Sequence, residues 1–404
     1  MTAAILEGLR VVEASAFVAA PLGGMTLAQL GAEVIRIDPP GGGLDYRRWP
    51  VTADNHSLFW AGLNKSKRSV AIDIATAEGR ELAMALITAP GDDAGILLTN
   101  FPARGWLDPA ALRTRRADLI QLTIMGDRHG GSAVDYTVNP SIGLPFITGP
   151  SGESEPVNHV LPAWDLVTGQ MAAVGLLAAE RHRRRSGHGQ EIRLALEDVA
   201  LAVMGHLGFL AEAEAGVDRS RYGNYLFGAF GRDFLCADGE RVMVVGLTPK
   251  QWRALCEATG LAENMQALAS RLALDFRREG DRFKAREQIA ALIEPWVATR
   301  KLSEVAAAFD AHAVCWNHYQ TVRQLVAGNP SCSTENPLFA RVQQPGIGPQ
   351  LTPGLPLEFG SHPRRPPAAA PALGADTEAV LCGVLGLSTA EYGSLHDRGV
   401  VAGP

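Results

Sequence analysis

Between residues 9 and 124 the chain alternates short β-rich runs with helical runs. The β-rich runs cover residues 9–13, 32–37, 69–74, 95–98 and 119–124. After the first run, a loop of small residues leads into a helix with Pro21 in its first turn, where a missing N–H costs no hydrogen bond. Strands that alternate with helices form mostly parallel sheets. The pattern therefore predicts an α/β fold with a Rossmann-like large domain.

Ligands of such sheets usually bind beyond the carboxyl ends of the strands. Asn100 and Phe101 follow one predicted strand and offer an amide and an aromatic face, which suit a nucleotide or a pantetheine arm; Phe101 fits the protein core equally well. The turn after the first strand lacks G-x-G-x-x-G spacing, and the chain has no P-loop motif. The turn therefore favours helix–sheet packing over an NAD site.

The rest of the 404-residue chain suggests a second domain. Two strongly helical runs, residues 166–181 and 196–215, are followed by a smaller αβ region over residues 225–330. Residues 345–374 are rich in proline and glycine, which favours an extended connector.

The composition argues against several classes of partner. A net charge of −6 provides no basic field for nucleic acid or an anionic membrane. The five cysteines are widely spaced, without a C-x-x-C pair, and indicate neither a disulfide framework nor a zinc site. The longest apolar run, residues 166–179, is shorter than the roughly 20 residues that span a bilayer, and no secretory signal opens the chain. We therefore expect a cytoplasmic protein.

Asp165 is the carboxylate with the most informative position, directly before a long apolar helical run. One interpretation is an N-cap that accepts hydrogen bonds from backbone N–H groups. The other is a carboxylate nucleophile. The two are compatible, because free amides at a helix start stabilise anions. His159, six residues earlier, is a candidate for a supporting or acid–base role.

Several stretches resemble the family III CoA-transferases. They are residues 6–13, 31–35, 63–69 and 186–192, together with Asn100–Phe101 and Asp165. The resemblance runs in order across nearly the whole chain. It implies an interlocked homodimer, a large CoA-binding domain built from residues 1–215 with a C-terminal return over residues 331–404, and a small domain over residues 225–330.

The resemblance also implies roles for individual residues. The nucleophilic aspartate of the family falls on Asp165. The positions that match its CoA-contacting segments are Val18, Ala19, Leu63, Asn64, Lys67, Asn100, Phe101 and Arg104. Pro39 and Met125 stand where some relatives carry basic residues. No metal and no cofactor beyond the CoA of the substrate are implied.

The implied reaction moves CoA between the two carboxyl groups of one C5 unsaturated dicarboxylate. It would convert 2-methylfumaryl-CoA into 3-methylfumaryl-CoA through an aspartyl anhydride and an aspartyl-CoA thioester, a step of the 3-hydroxypropionate cycle of carbon fixation. Residues 222–231, rich in glycine and aromatic side chains, are a candidate lid.

Three alternatives stay open. The first is an intermolecular CoA-transferase that uses a free carboxylic acid. The second is an α-methylacyl-CoA racemase or epimerase, which the differently spaced loop around His129 disfavours. The third is a non-catalytic nucleotide-binding or interaction protein.

Overall fold

A seven-stranded sheet organises the larger part of the molecule in a computed structural model that describes residues 4–152 and 155–403. The outer ends of the predicted domains, residues 1 and 404, lie outside these ranges. The strands of the chain are β1 (Arg10–Ala14), β2 (Glu33–Asp38), β3 (Arg68–Ile72), β4 (Ile96–Thr99), β5 (Ile120–Met125), β6 (Glu191–Ala195), β7 (Phe230–Leu235), β8 (Arg241–Gly246), β9 (Cys315–His318), β10 (Phe339–Gln344), β11 (Gly348–Pro353) and β12 (Val401–Ala402).

The helices alternate with these strands in the first part of the chain and predominate later. They are α1 (Ala19–Gln29), α2 (Leu58–Leu63), α3 (Ala77–Ile87), α4 (Pro109–Arg115), α5 (Asp135–Ser141), α6 (Leu144–Ile147), α7 (Ala163–Ser186), α8 (Leu196–His206), α9 (Phe209–Glu214), α10 (Pro249–Thr259), α11 (Ala262–Leu272), α12 (Glu279–Lys284), α13 (Arg286–Ala298), α14 (Leu302–Ala311), α15 (Val322–Gly328), α16 (Thr377–Leu385) and α17 (Thr389–Asp397).

Two compact units divide the chain. The first comprises Met1–Ile142, His159–Ala211 and Pro330–Pro404, and the second comprises Gly143–Asn158 and Glu212–Asn329. The predicted boundaries near residues 215, 225 and 330 fall close to these divisions, but residues 143–158 group with the second unit, which the sequence pattern does not indicate. The assignment of functions to the individual domains stays a prediction.

The sheet of the first unit has the order β12-β3-β2-β1-β4-β5-β6. All its neighbouring strands pair in parallel except β12, which is antiparallel to β3. The prediction of a mostly parallel α/β sheet is thus confirmed. The chain moves from β1 to β2 and β3 on one side and then to β4 on the other, so the topological switch point lies between β1 and β4.

Both faces of this sheet are covered, because consecutive side chains of a strand point in opposite directions. Val11 of β1 packs with Leu27 of α1 and Leu176 of α7 in one buried cluster. Val12 belongs to the opposite cluster, with Leu86 of α3 and Val380 of α16. Helix α16, in the C-terminal part of the chain, therefore packs into the same core as the first strand.

A buried charged network joins β1 and β2 to Lys67, the residue before β3. Arg36 pairs with Glu13 and Asp38, and Lys67 Nζ lies 2.9 Å from the Glu13 carboxylate. Lys67 and its partners are almost completely excluded from solvent. Burial lowers the pKa of Lys67 to about 8 against the opposing effect of Glu13.

Gly24 of α1 makes room for this network. A β-carbon at Gly24 would lie 1.8 Å from Glu13 Oε2. We expect Gly24→Ala to lower the free energy of unfolding by about 2–4 kcal/mol, because either the helix or the buried carboxylate must move. Denaturant unfolding measures this change. Gly383→Ala in α16, where a β-carbon meets nothing within 4 Å, is the matched control and should be neutral or stabilise by up to about 1 kcal/mol.

The second unit contains the antiparallel sheet β7-β8-β9. Its core joins Phe230 and Val244 of the sheet to Trp252 of α10, Ile289 of α13 and Phe309 of α14. Within the part of the chain that the structure describes, no helix combines the length and the apolar character needed to cross a membrane.

Two sequence-based predictions about later elements need correction. The helical run over residues 196–215 is two helices, α8 and α9, because Gly208 between them adopts a positive φ of 81° that ends the first. The proline- and glycine-rich stretch 345–374 is not wholly extended connector, since β10 and β11 pair as an antiparallel hairpin around residues 345–347.

Candidate active site

The loops that follow β1 and β4 are bonded to each other at the switch point. Asn100 Oδ1 accepts a hydrogen bond from Ala16 N at 3.0 Å, and Asn100 Nδ2 donates one to Ala16 O at 2.7 Å. Thr99 Oγ1 donates to Ala14 O at 2.7 Å. The amide of Asn100 therefore fixes the edge of the crevice where parallel sheets bind ligands.

Asp165 is the third residue of α7, whose N-cap position is Pro162. The prediction that Asp165 caps this helix is therefore wrong, because its side chain lies within the first turn instead of preceding it. Four residues further on, Gly169 allows α7 to approach α1 closely: a β-carbon at Gly169 would lie 2.6 Å from Ala19 O. Asp165 is one helical turn from this contact, which puts it near the start of α1.

The carboxylate that caps α7 belongs to Asp135, at the start of α5. Its Oδ2 accepts hydrogen bonds from Trp164 N at 2.7 Å and Asp165 N at 3.2 Å. Its Oδ1 lies 2.7 Å from His159 Nε2. Asp135 is 1% exposed, so the free amides of the helix start are satisfied by a buried side chain that is distant in sequence.

Sequence reasoning missed Asp135, since no local pattern links it to a helix that starts 28 residues later. Its only sequence signal is an acidic residue at the start of a short helix, which is a common feature. His159, which the sequence suggested as a supporting residue, does lie beside the helix that carries Asp165, and its ring is 6.3 Å from that of Trp164.

The half-buried Asp165 carboxylate has an elevated pKa. Burial, and after it the negative charge of Asp135, together raise the pKa of Asp165 to about 6 against the opposing effect of Arg48. No hydrogen bond to this carboxylate occurs within residues 4–152 and 155–403. A poorly solvated carboxylate without hydrogen-bond donors is a strong nucleophile for its type, so the site can perform acyl transfer.

The structure brings four of the predicted CoA-contacting residues together at the switch point. Val18 and Ala19 start α1 beside the loop that holds Asn100 and Phe101. Arg104 is exposed in the loop after β4, and Leu63 ends α2 with its side chain partly exposed.

The side chains of Asn64 and Lys67 are instead engaged inside the protein. Lys67 Nζ donates to Pro21 O at 2.9 Å and to Asn64 Oδ1 at 2.8 Å, in addition to Glu13. Asn64 Nδ2 donates to Trp60 O at 2.9 Å. Both side chains support the start of α1, so contact of their polar ends with CoA would require these bonds to break.

Other candidates lie in different places. His129 is exposed in the loop after β5, and its backbone N–H bonds Asp127. The proposed lid, residues 222–231, belongs to the second unit. In the described ranges, no group of three or more histidine, cysteine, aspartate or glutamate side chains is arranged to hold a metal ion.

This chain is similar over most of its length to a family of CoA-transferases. The family model described as CoA-transferase family III matches residues 6–377. A 2-methylfumaryl-CoA isomerase of Chloroflexus aurantiacus is 63% identical over 99% of this chain and 98% of its own length. A succinyl-CoA:mesaconate CoA-transferase of Haloarcula marismortui is 28% identical over 91% of this chain and 93% of its own.

The fold has solved counterparts. A CAIB/BAIF family protein from Brucella suis superposes with a TM-score of 0.76 at 24% identity, covering 95% of this chain and 100% of its own. This likeness extends over both compact units.

Proposed function

This chain belongs to CoA-transferase family III, and on that premise we propose that it converts 2-methylfumaryl-CoA into 3-methylfumaryl-CoA by moving CoA from one carboxyl group of the diacid to the other. The full-length similarity to an isomerase of that name supports the substrate. The observation that carries the chemistry is the half-buried Asp165 carboxylate, which has an elevated pKa and receives no hydrogen bond from the described residues.

The proposed reaction consists of four acyl transfers. A carboxylate oxygen of Asp165 attacks the C1 carbonyl of the thioester and expels CoA thiolate, which leaves a mixed anhydride. The thiolate attacks the aspartyl carbonyl, which gives an Asp165–CoA thioester and free mesaconate. The C4 carboxylate then attacks this thioester and expels thiolate, and the thiolate attacks the C4 carbonyl of the new anhydride. The product leaves and the Asp165 carboxylate is regenerated.

Asp135 supports this role by relieving Asp165 of a structural task. Because Asp135 accepts the hydrogen bonds of the first turn of α7, acylation of Asp165 removes no helix cap. The amides at that helix start are also directed away from the nucleophile's carboxylate, which keeps its electron pairs available for attack.

The direct test incubates the protein with 2-methylfumaryl-CoA alone and separates the two isomers chromatographically. Conversion to 3-methylfumaryl-CoA without added acid supports the intramolecular reaction. No conversion unless a free acid is added would contradict it in favour of an intermolecular transferase, the activity carried in the name of the Haloarcula relative. A separate incubation with a saturated 2-methylacyl-CoA in heavy water tests the remaining alternative, since deuterium incorporation at its α-carbon would identify a racemase or epimerase.

The pKa of Asp165 predicts how this activity depends on pH. Because the nucleophile must be ionised and its pKa is about 6, kcat/KM should be constant above pH 7 and fall about tenfold per pH unit well below 6. Initial rates between pH 4.5 and 8 measure the profile. An acid limb near pH 4, the ordinary range for a carboxyl, would contradict the environment described for Asp165.

We also propose that CoA lies at the switch-point crevice, against Val18, Ala19, Asn100 and Phe101. Leu63 and Arg104 belong to the same proposal, with Arg104 as the exposed cation available to a phosphate. Asn64 and Lys67 contribute from inside the protein, where their hydrogen bonds support the start of α1. The absence of a metal or nicotinamide requirement stays a prediction, which undiminished activity after treatment with a chelator would support. A cytoplasmic location is likewise a prediction.

The homodimer is a further part of the proposal. Val167, Met171 and Val174 form an apolar stripe on α7 at helical spacing, and they are 38%, 48% and 61% exposed. An exposed stripe of this kind is typical of a subunit interface, and a second copy of the chain is the partner that the family resemblance implies. Light scattering after gel filtration should give about twice the 43.0 kDa of one chain; a monomer would contradict this part of the proposal.

A further inference from the structure

Arg48 is an exposed arginine whose charge acts on Asp165. Its guanidinium lies 5.6 Å from the ring centroid of Phe17 and 5.2 Å from that of Phe59. No carboxylate of the described residues forms an ion pair with it. Two aromatic faces therefore hold an exposed cation in a defined position while its hydrogen-bond donors stay available.

Phe17 is fixed in an unfavourable backbone conformation to make this contact. Its φ is +71°, a region that bulky side chains seldom occupy, and its side chain is 40% exposed. Phe17 N donates to Asp45 Oδ2 at 3.1 Å, and Arg36 Nη2 donates to Asp45 Oδ1 at 2.8 Å. The buried charged network thus anchors the loop that supports Arg48.

The loop that contains Phe17 is connected to Asp165 through the contact between α1 and α7. Phe17 and Val18 immediately precede Ala19, the residue whose carbonyl contacts Gly169 of α7, one turn from Asp165. Arg48 is close enough to lower the pKa of Asp165, against the larger effects of burial and of Asp135. The electrostatic effect and the connection through Phe17, Ala19 and Gly169 together support a position of Arg48 near Asp165.

The proposed substrate requires a cation at this place. A thioester of a dicarboxylic acid carries a free carboxylate, which the charges of Asp165 and Asp135 both repel. After CoA has moved to Asp165, the diacid is no longer covalently attached and carries two carboxylates. A planar guanidinium with paired N–H donors matches either of them.

Building on the proposed function, we propose that Arg48 binds the substrate carboxylate that is not bonded to CoA and retains the free diacid while its ends exchange. Arg48 is therefore a specificity-determining residue for dicarboxylyl thioesters. It is also the group that makes the transfer intramolecular, because one carboxylate remains bound while the other reacts.

The test compares two thioesters that differ only at the distal end. Tiglyl-CoA has a methyl group where 2-methylfumaryl-CoA has its free carboxylate, so it can acylate Asp165 but cannot contact Arg48. The measured rate is hydroxamate formation in the presence of hydroxylamine, which attacks the acyl carbonyl of the anhydride and frees Asp165. We expect the wild type to prefer the dicarboxylyl thioester in kcat/KM by about 10- to 100-fold, the range of a charge-assisted hydrogen bond.

Arg48→Met should reduce this preference to nearly one, with the loss confined to 2-methylfumaryl-CoA. Arg48→Lys keeps the positive charge but lacks the paired N–H donors of the guanidinium, so it should give an intermediate preference. In Arg48→Met, label from free mesaconate should also enter the product, because the diacid escapes.

Arg181→Met is the matched control. It removes the same charge from the far end of α7, about 24 Å along the helix, and should change neither measurement.

The outcomes separate the two proposals. An unchanged preference in Arg48→Met overturns the role of Arg48. An equal loss for both thioesters also overturns it, since that pattern would assign the cation to the shared CoA moiety. A wild type that forms hydroxamate from neither thioester and converts no isomer contradicts the proposed function itself. Circular dichroism of each variant establishes that it is folded.

Discussion

We expect Asp165→Asn to abolish isomerisation, to about a thousandth of the wild-type rate or less, and at the same time to stabilise the protein. The first effect follows because an amide cannot form the anhydride. The second follows from linkage. The folded state raises the pKa of Asp165 from 3.8 to about 6, so the protonated form is the one that folding favours.

The stabilisation by Asp165→Asn should depend on pH. Below pH 3.8 Asp165 is protonated in both the folded and the unfolded state, so it has no effect on the free energy of unfolding. Between pH 3.8 and 6 the unfolded state loses the proton first, and the free energy of unfolding falls. At pH 7 the loss is complete and amounts to roughly 2–3 kcal/mol. Asparagine avoids this cost. Thermal melts at pH 4 and pH 7 should therefore show a gain for Asp165→Asn at pH 7 that nearly disappears at pH 4.

Asp198 offers a matched control for this variant. It is an exposed aspartate at the third position of α8, the same helix position that Asp165 has in α7. Asp198→Asn should leave the rate unchanged and destabilise slightly, by less than about 1 kcal/mol, because an exposed acid favours a helix N-terminus. Wild-type activity in Asp165→Asn would refute the nucleophile, and stability changes of the same sign in both variants would refute the electrostatic environment assigned to Asp165.

Asp135→Ala should strongly lower both the stability and the activity of the protein. It leaves Trp164 N and Asp165 N without the carboxylate that accepts their hydrogen bonds and removes one partner of His159, all at a site that is 1% exposed. We expect the free energy of unfolding to fall by about 2–4 kcal/mol and kcat to fall with it, because the first turn of α7 carries the nucleophile. Denaturant unfolding and initial rates measure both changes.

Asp135→Asn separates the structural role from the electrostatic one. The amide oxygen still accepts backbone hydrogen bonds, so much of the stability should return. The negative charge that raises the pKa of Asp165 is absent, so the acid limb of the rate profile should move to lower pH. As a control, Thr76→Ala removes an ordinary cap, whose hydroxyl accepts from Gly79 N at 2.9 Å, and should cost only about 1 kcal/mol with no change in the profile. An unmoved acid limb in Asp135→Asn would contradict the electrostatic role.

The parts of the fold that depend on neighbouring residues could be predicted from the sequence. Alternating strands and helices lead to a parallel sheet, and the carboxyl ends of those strands mark the crevice that Asn100 edges. Asp165 also stands out, because a carboxylate directly before a long apolar run is conspicuous. The break between α8 and α9 at Gly208 could not be predicted in this way. A glycine can lie within a helix or end it, and the choice depends on its φ, which the sequence does not show.

What could not be predicted depends on residues distant in sequence. The cap of α7 comes from Asp135, and Lys67 joins a network with residues of two strands whose pairing no local pattern specifies. Lys67 illustrates the consequence: the family resemblance implies contact with CoA, whereas the hydrogen-bond partners of its ammonium group lie inside the protein. The environment of Asp165, which determines its pKa, is likewise a product of the tertiary fold.

The contact between Gly23 and Gly169 has a mechanical consequence for catalysis. Each glycine lies within 3 Å, measured from an added β-carbon, of a carbonyl oxygen on the opposite helix, so the two backbones have no space to slide toward each other. The scaffold under the nucleophile is consequently stiff across a reaction that reverses the orientation of its own substrate. We therefore expect the diacid to turn over against an α1–α7 pair that keeps its spacing during the reaction.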